Sequence, residues 1–213
     1  MHASVVRSLE GKESVAERVL LFTGHMVDAP DRPANKRRFP LTANAEQTAR
    51  QLIREAIQAE IADETGIVIG IASGANGGDI LFHETCHHLG VHTAVYLALP
   101  QDSFQEASVS PGGADWVERY QTLCSRVPPQ VLQTEARLPN WLTDQPDYNV
   151  WQGCNYWMLM SAVATGAKRQ TLIALNNPDQ DSNGAGGTSD YVQLAKERGV
   201  KVVELDARVL LVG

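Results

Sequence analysis

Three cysteines in 213 residues, Cys86, Cys124 and Cys154, are too few and too scattered for a disulfide framework. Their number is odd and no C-x-x-C spacing occurs, so they read as free thiols in a reducing compartment. Long apolar runs are missing as well. The opening MHASVVRSLEGKES has no stretch of signal-peptide length, and no later window is long and apolar enough to span a bilayer. These absences predict a cytoplasmic chain with no membrane partner. An excess of positive charge is also lacking. With 18 Lys and Arg against 25 Asp and Glu, the formal charge is -7, which opposes non-specific nucleic acid binding, because that depends on clustered cations. The local exception is Arg32, Lys36, Arg37 and Arg38. Internal repeats, low-complexity tracts and a convincing linker are absent too, so residues 1–213 read as one domain, with 1–17 a loose N-terminal extension. A chain of this length, 43% hydrophobic, buries roughly 70% of its unfolded surface and needs no structural metal.

What is present is an alternation of apolar segments with amphipathic ones. VLLFTG (19–24), IVIGIA (67–72), TAVYLAL (93–99), QVLQT (130–134), TLIAL (171–175) and VKVVEL (200–205) are short, β-branched and bounded by turn residues, as buried parallel strands are. Between them, a helix capped by Asn44 carries Ala49, Leu52, Ile53, Ala56, Ile57 and Ile61 as one stripe. Trp116, Val117, Tyr120, Leu123, Cys124 and Val127 form a second. A third helix, about 147–167, is apolar around much of its circumference, with Trp151, Tyr156, Trp157, Met158, Leu159 and Met160. It is expected to be buried or to lie at a subunit contact, which points to a homo-oligomer, a dimer in the simplest case. Asn155 within it reads as a hydrogen-bonded core amide. The pattern predicts an α/β fold: a single Rossmann-like three-layer domain with a mainly parallel sheet of about six strands and right-handed crossovers.

Ligands in such folds bind beyond the carboxyl ends of the strands, which singles out loops 24–40, 73–79, 100–108 and 176–188. SGANGGD (73–79) follows a strand and opens a helix. Its glycines would let the backbone approach a ligand while first-turn N–H groups face an anion; a tight turn without a ligand fits the same residues. Asp79 also suits the helix dipole. The following HETCH (83–87) matches the H-E-x-x-H form of zinc proteases. The helix's apolar residues Leu81, Phe82, Cys86 and Leu89 project to one side, so His83 and His87 are expected on the solvent side, with no metal bound. DQDSNGAGGTSD (179–190) fits a calcium-loop pattern, with Asp190 in place of the terminal Glu and Gly186 in place of an apolar residue. A polar loop, or a second helix-start anion site at Gly186, Gly187 and Thr188, competes with that reading.

LLFTGH at the first strand, G-A-N-G-G-D at 74–79 and G-G-T at 186–188 together resemble the SLOG superfamily, Rossmann-like domains that include the LOG phosphoribohydrolases and the DprA core. GHMVDAPDRP with RRFP, and the NYWML and GGTSD segments, are similar to SLOG-like domains attached to bacterial signalling proteins. The resemblance implies a nucleotide-like small molecule held across both glycine turns by Gly24, His25, Arg37, Arg38, Ser73, Gly74, Ala75, Asn76, Gly77, Gly78, Asp79, Gly186, Gly187 and Thr188, with no cofactor. It leaves two functions open. One is a binding module that senses a signalling nucleotide. The other is a nucleoside-monophosphate N-glycosidase, with Asp190 or Asp79 as the catalytic carboxylate. Aligned on Gly187 and Thr188, Tyr191 stands where LOG enzymes carry their catalytic glutamate, and Asp190 is one residue early.

Overall fold

The computed structural model describes residues 16–133, 149–177 and 184–212. Most of the expected N-terminal extension, and Asp179 and Asp181 of the calcium-like pattern, lie outside the described residues. Six strands, β1 (Arg18–Gly24), β2 (Val68–Ala72), β3 (His92–Leu97), β4 (Gln130–Val131), β5 (Arg169–Asn176) and β6 (Lys201–Asp206), form one sheet in the order β4-β3-β2-β1-β5-β6. Every pairing is parallel, so the expected Rossmann-like sheet is observed. The described helices are α1 (Ala43–Ile61), α2 (Gly78–His88), α3 (Gln101–Ser108), α4 (Ala114–Arg126), α5 (Val150–Ala164) and α6 (Thr188–Glu197).

The alternation of side chains along β1 shows why the domain has three layers. Leu20 and Phe22 enter a core shared with α1, α2 and α4, whereas Val19 and Leu21 enter a second core built by α5 and α6. With period two, a strand buried on both faces must be apolar throughout, as VLLF is. Burying each Leu or Phe side chain contributes roughly 1.5–3 kcal/mol, so the central strands hold both helical layers.

Local details differ from expectation in two places. Thr42, not Asn44, caps α1: its extended backbone lets the side chain accept from Ala45 N–H at 3.2 Å, and Asn44 falls inside the first turn. α5 is not covered on all sides either. Cys154, Asn155, Met158, Leu159 and Ala162 are buried, while Tyr156 and Val163 remain exposed. No helix among the described residues is long and apolar enough to cross a membrane.

The strand order fixes where a ligand can sit. β1 pairs with β2 on one side and β5 on the other, so successive connections leave toward opposite edges and a crevice opens at the carboxyl ends beside β1.

Candidate functional site

A cleft of about 350 Å³ occupies that crevice. The exit of β1 contributes Thr23, Gly24, His25 and Met26; the exit of β2 contributes Ser73, Ala75 and Asp79; the start of α6 contributes Gly186, Gly187 and Thr188. Arg38 lines it as well. The two glycine turns, more than a hundred residues apart in the chain, therefore border one space. Phe104, Ala107 and Ser108 from α3 and Trp151, Cys154, Asn155 and Met158 from α5 complete the walls.

Of the other residues expected at the ligand, Gly74, Asn76 and Gly78 stand behind the lining. Asn76 is fully buried; its Oδ1 accepts from Val27 N–H at 2.9 Å and its Nδ2 donates to the Val109 carbonyl at 3.1 Å. Its own N–H donates to the Ser108 carbonyl at 2.9 Å. One residue thus ties together the loop after β1, the turn after β2 and the carboxyl end of α3. Gly78 N–H donates to the His25 carbonyl at 3.1 Å, and Gly74 sits beneath the Tyr120 ring. Arg37 is exposed and outside the lining. Asn76→Ala would leave Val27 N–H buried without a partner, whereas the Val109 carbonyl keeps the bond from Gly112 N–H at 2.9 Å, so urea unfolding should show a loss of roughly 1–3 kcal/mol.

The segment between β1 and α1 folds back on itself around Asp28. Asp28 Oδ2 accepts from Arg38 N–H at 2.9 Å and Phe39 N–H at 3.0 Å, and Asp28 N–H donates to the Phe39 carbonyl at 2.7 Å. Asp28 Oδ1 pairs with Arg32 Nε at 3.3 Å. Phe39, fully buried, plugs the loop into the core. The backbone that carries Arg38 is therefore fixed by two charge-assisted bonds. Burial and the neighbouring Arg32 lower the pKa of Arg38, against the opposing effect of Asp28.

Two titratable groups of the lining are far from their ordinary states. Burial pushes the Asp79 carboxyl up from 3.8 to about 7, against a single opposing bond from Ala75 N–H at 3.3 Å. Burial, then the charges of Arg38 and Arg32, lower His25 to about 3, so its imidazole is neutral at pH 7. Asn177 N–H donates to His25 Nε2 at 3.0 Å, which places the ring proton on Nδ1.

The HETCH segment behaves differently from its expected role as a solvent face. His83 is buried, only 2% exposed, and its Nε2 lies 2.8 Å from the Ser73 carbonyl, to which it donates. Burial lowers its pKa to about 4. α2 contacts β1, β2, β3, α1 and α4, so most of its circumference is covered and the face assigned to water is only its last turn, where His87 is exposed. Glu84 bridges Arg50 at 2.8 Å and Arg119 at 2.8 Å. Burial raises its pKa, but the two guanidinium groups outweigh that and hold it below the ordinary carboxylate range. A carboxylate so paired is occupied in joining α1, α2 and α4. Among the described residues no group of three or more His, Cys, Asp or Glu is placed to share a metal ion.

α5 holds the second glycine turn by three side chains. Asn149 caps the helix through Oδ1 and donates from Nδ2 to the Ala185 carbonyl at 3.0 Å. Gln152 Nε2 donates to both oxygens of Asp190 at 3.2 Å, and Asn155 Nδ2 donates to the Gly186 carbonyl at 3.1 Å. Asp190 Oδ2 also accepts from Gly186 N–H at 3.1 Å. Asp190 therefore staples the turn and is not part of the cleft lining. Asn155 is hydrogen-bonded, as expected of a core amide, and also borders the cleft. The signal for this arrangement was in the sequence: Asn149, Gln152 and Asn155 are polar residues at three-residue spacing on one side of an otherwise apolar helix.

No protein-family model matches the chain, and no curated protein matches it.

Proposed function

We propose that the cleft binds a nucleotide or nucleotide derivative and that the protein is a binding module whose loops report occupancy. The observation that carries this reading is the convergence of both glycine turns and Arg38 on one space at the switch point of the sheet. α6 starts at Gly187 without a side-chain cap, and a helix start of this kind favours an anion. Arg38 supplies the guanidinium that can pair with phosphate oxygens. The volume suits one small ligand. The same reading includes a cytoplasmic homo-oligomer, for which the exposed Tyr156 and Val163 of α5 are the contact surface.

Isothermal titration with a panel of nucleoside 5′-monophosphates tests the reading. Arg38→Ala should weaken binding by roughly 1.5–3 kcal/mol, the range for a lost charge-assisted bond, with little effect on stability. Equal affinity in variant and parent would remove the 25–39 loop from the site.

A second reading is favoured by Asp79. A carboxyl that titrates near 7 is suited to proton transfer at neutral pH, so hydrolysis of the N-glycosidic bond is the alternative activity, with Asp79 as its acid or base. Asp190, engaged by Gln152 and Gly186 and outside the cleft lining, is given no role in this reading. Release of free base from the same panel, abolished in Asp79→Asn while binding persists, would establish the enzyme; no release by the parent would leave the binding module.

A further inference from the structure

Two buried polar groups of the cleft have an unused hydrogen-bonding position. His25 is only 2% exposed and its Nδ1 has no partner. Because Nε2 already accepts from Asn177 N–H, this Nδ1 carries the proton and is a donor. Asp79 is 7% exposed, and the single side-chain bond it forms among the described residues is the long one from Ala75 N–H to Oδ2. Its second oxygen is left for something else. The backbone beside Asp79 meets that of His25, where Gly78 N–H donates to the His25 carbonyl at 3.1 Å. A buried donor such as His25 Nδ1 is paired in native proteins, and both residues border the same cleft.

We infer that His25 and Asp79 together bind a vicinal pair of hydroxyl groups on the sugar of the ligand. The inference rests on the nucleotide reading above and assigns the uncharged part of that ligand to this end of the cleft. A phosphate here would meet the Asp79 carboxyl and a neutral imidazole, neither of which favours an anion. A hydroxyl group differs: it accepts from His25 Nδ1–H while it donates to Asp79. It is also indifferent to the protonation of the carboxyl, because a hydroxyl donates to the ionised form and accepts from the protonated one. An amide N–H or a ring nitrogen satisfies only one of the two forms. The phosphate then belongs with Arg38 and the start of α6.

The probes are ribose 5-phosphate and 2-deoxyribose 5-phosphate, titrated into the full chain. The parent should prefer the ribose form by on the order of 10- to 100-fold, because losing a hydroxyl leaves buried polar groups unpaired. His25→Phe, which keeps a ring of similar size without its nitrogens, should bring the two sugars close to parity. If His25→Phe does not fold, Asp79→Ala serves the same comparison. Equal binding of the two sugars by the parent overturns this inference and leaves the nucleotide reading standing. A preference that survives in the variants overturns it too, since the hydroxyl is then read elsewhere. Failure of both sugar phosphates and of inorganic phosphate to bind overturns both readings.

Discussion

Gly77→Ala should lower the melting temperature by roughly 10 °C or more and should do so with no ligand present. Gly77 has φ +84° and ψ -123°, a region that costs a residue with a Cβ about 1–3 kcal/mol. The added carbon would lie 2.8 Å from the His25 carbonyl oxygen and 2.9 Å from Val27 N. Both are backbone atoms, fixed by the bonds to Gly78 and Asn76, so they cannot move aside as a flexible side chain would. Overpacking adds about 1–3 kcal/mol, and at this chain length each kcal/mol corresponds to about 2–4 °C. Gly90→Ala separates the two causes. Gly90 has φ +73° and nothing within 4 Å of the position a Cβ would take, so it carries the conformational strain alone and should lose only about 1 kcal/mol. Calorimetry on the two variants reads the difference. The sequence reading gave the glycines of this turn the role of letting the backbone approach a ligand; the structure places a side chain at Gly77 against the backbone of the loop after β1, so any loss of binding follows from loss of the loop's position.

Asp79→Asn should stabilise the protein at neutral and alkaline pH. The folded-state pKa of about 7 stands above the ordinary 3.8, so the folded protein holds a proton that the unfolded chain has released. Below pH 4 both states are protonated and the group has no effect. As pH rises from 4 to 7 stability falls, and above 7 the full penalty of an ionised buried carboxylate is present. Three pKa units correspond to about 4 kcal/mol, an upper value for the gain in the variant at pH 8. Denaturant unfolding of parent and variant should give curves that coincide near pH 4 and diverge by pH 8. Equal stability at pH 8 would mean that the carboxyl is not buried without compensation. A group retained at such a penalty fits a functional role, since sites often hold groups that the fold alone would not.

Legibility in the sequence followed the length scale of the physics involved. Period-two burial and short β-branched runs are local, so all six strands and their parallel sheet could be read from residues such as VLLF and TLIAL. Both glycine turns were visible because a positive φ or a helix start leaves a local mark. What the turns touch was not visible. Asn76 and Gly77 looked like ligand residues, yet their partners are Val27, Ser108, Val109 and the His25 carbonyl, brought near only by tertiary contacts. Helical-wheel reasoning placed His83 in solvent because it assumes one covered face, and α2 is covered by the sheet and two helices. Arg37 and Arg38 could not be told apart from the sequence; the bond from Arg38 N–H to Asp28 fixes the register that turns Arg38 to the cleft. Phe104 lay in a segment singled out only as a loop and Trp151 in a helix read as buried, so the aromatic wall they form, with ring centroids 5.8 Å apart, was not legible.

Amide chemical-shift mapping during titration with nucleoside 5′-monophosphates tests most directly whether the two glycine turns serve one ligand. A single saturating ligand should perturb Gly24–Met26, Ser73–Asp79 and Gly186–Thr188 together, with one shared dissociation constant. Perturbation confined to one glycine turn, or centred on the cavity at the opposite sheet edge lined by Arg18, Glu60 and Lys201, would contradict it.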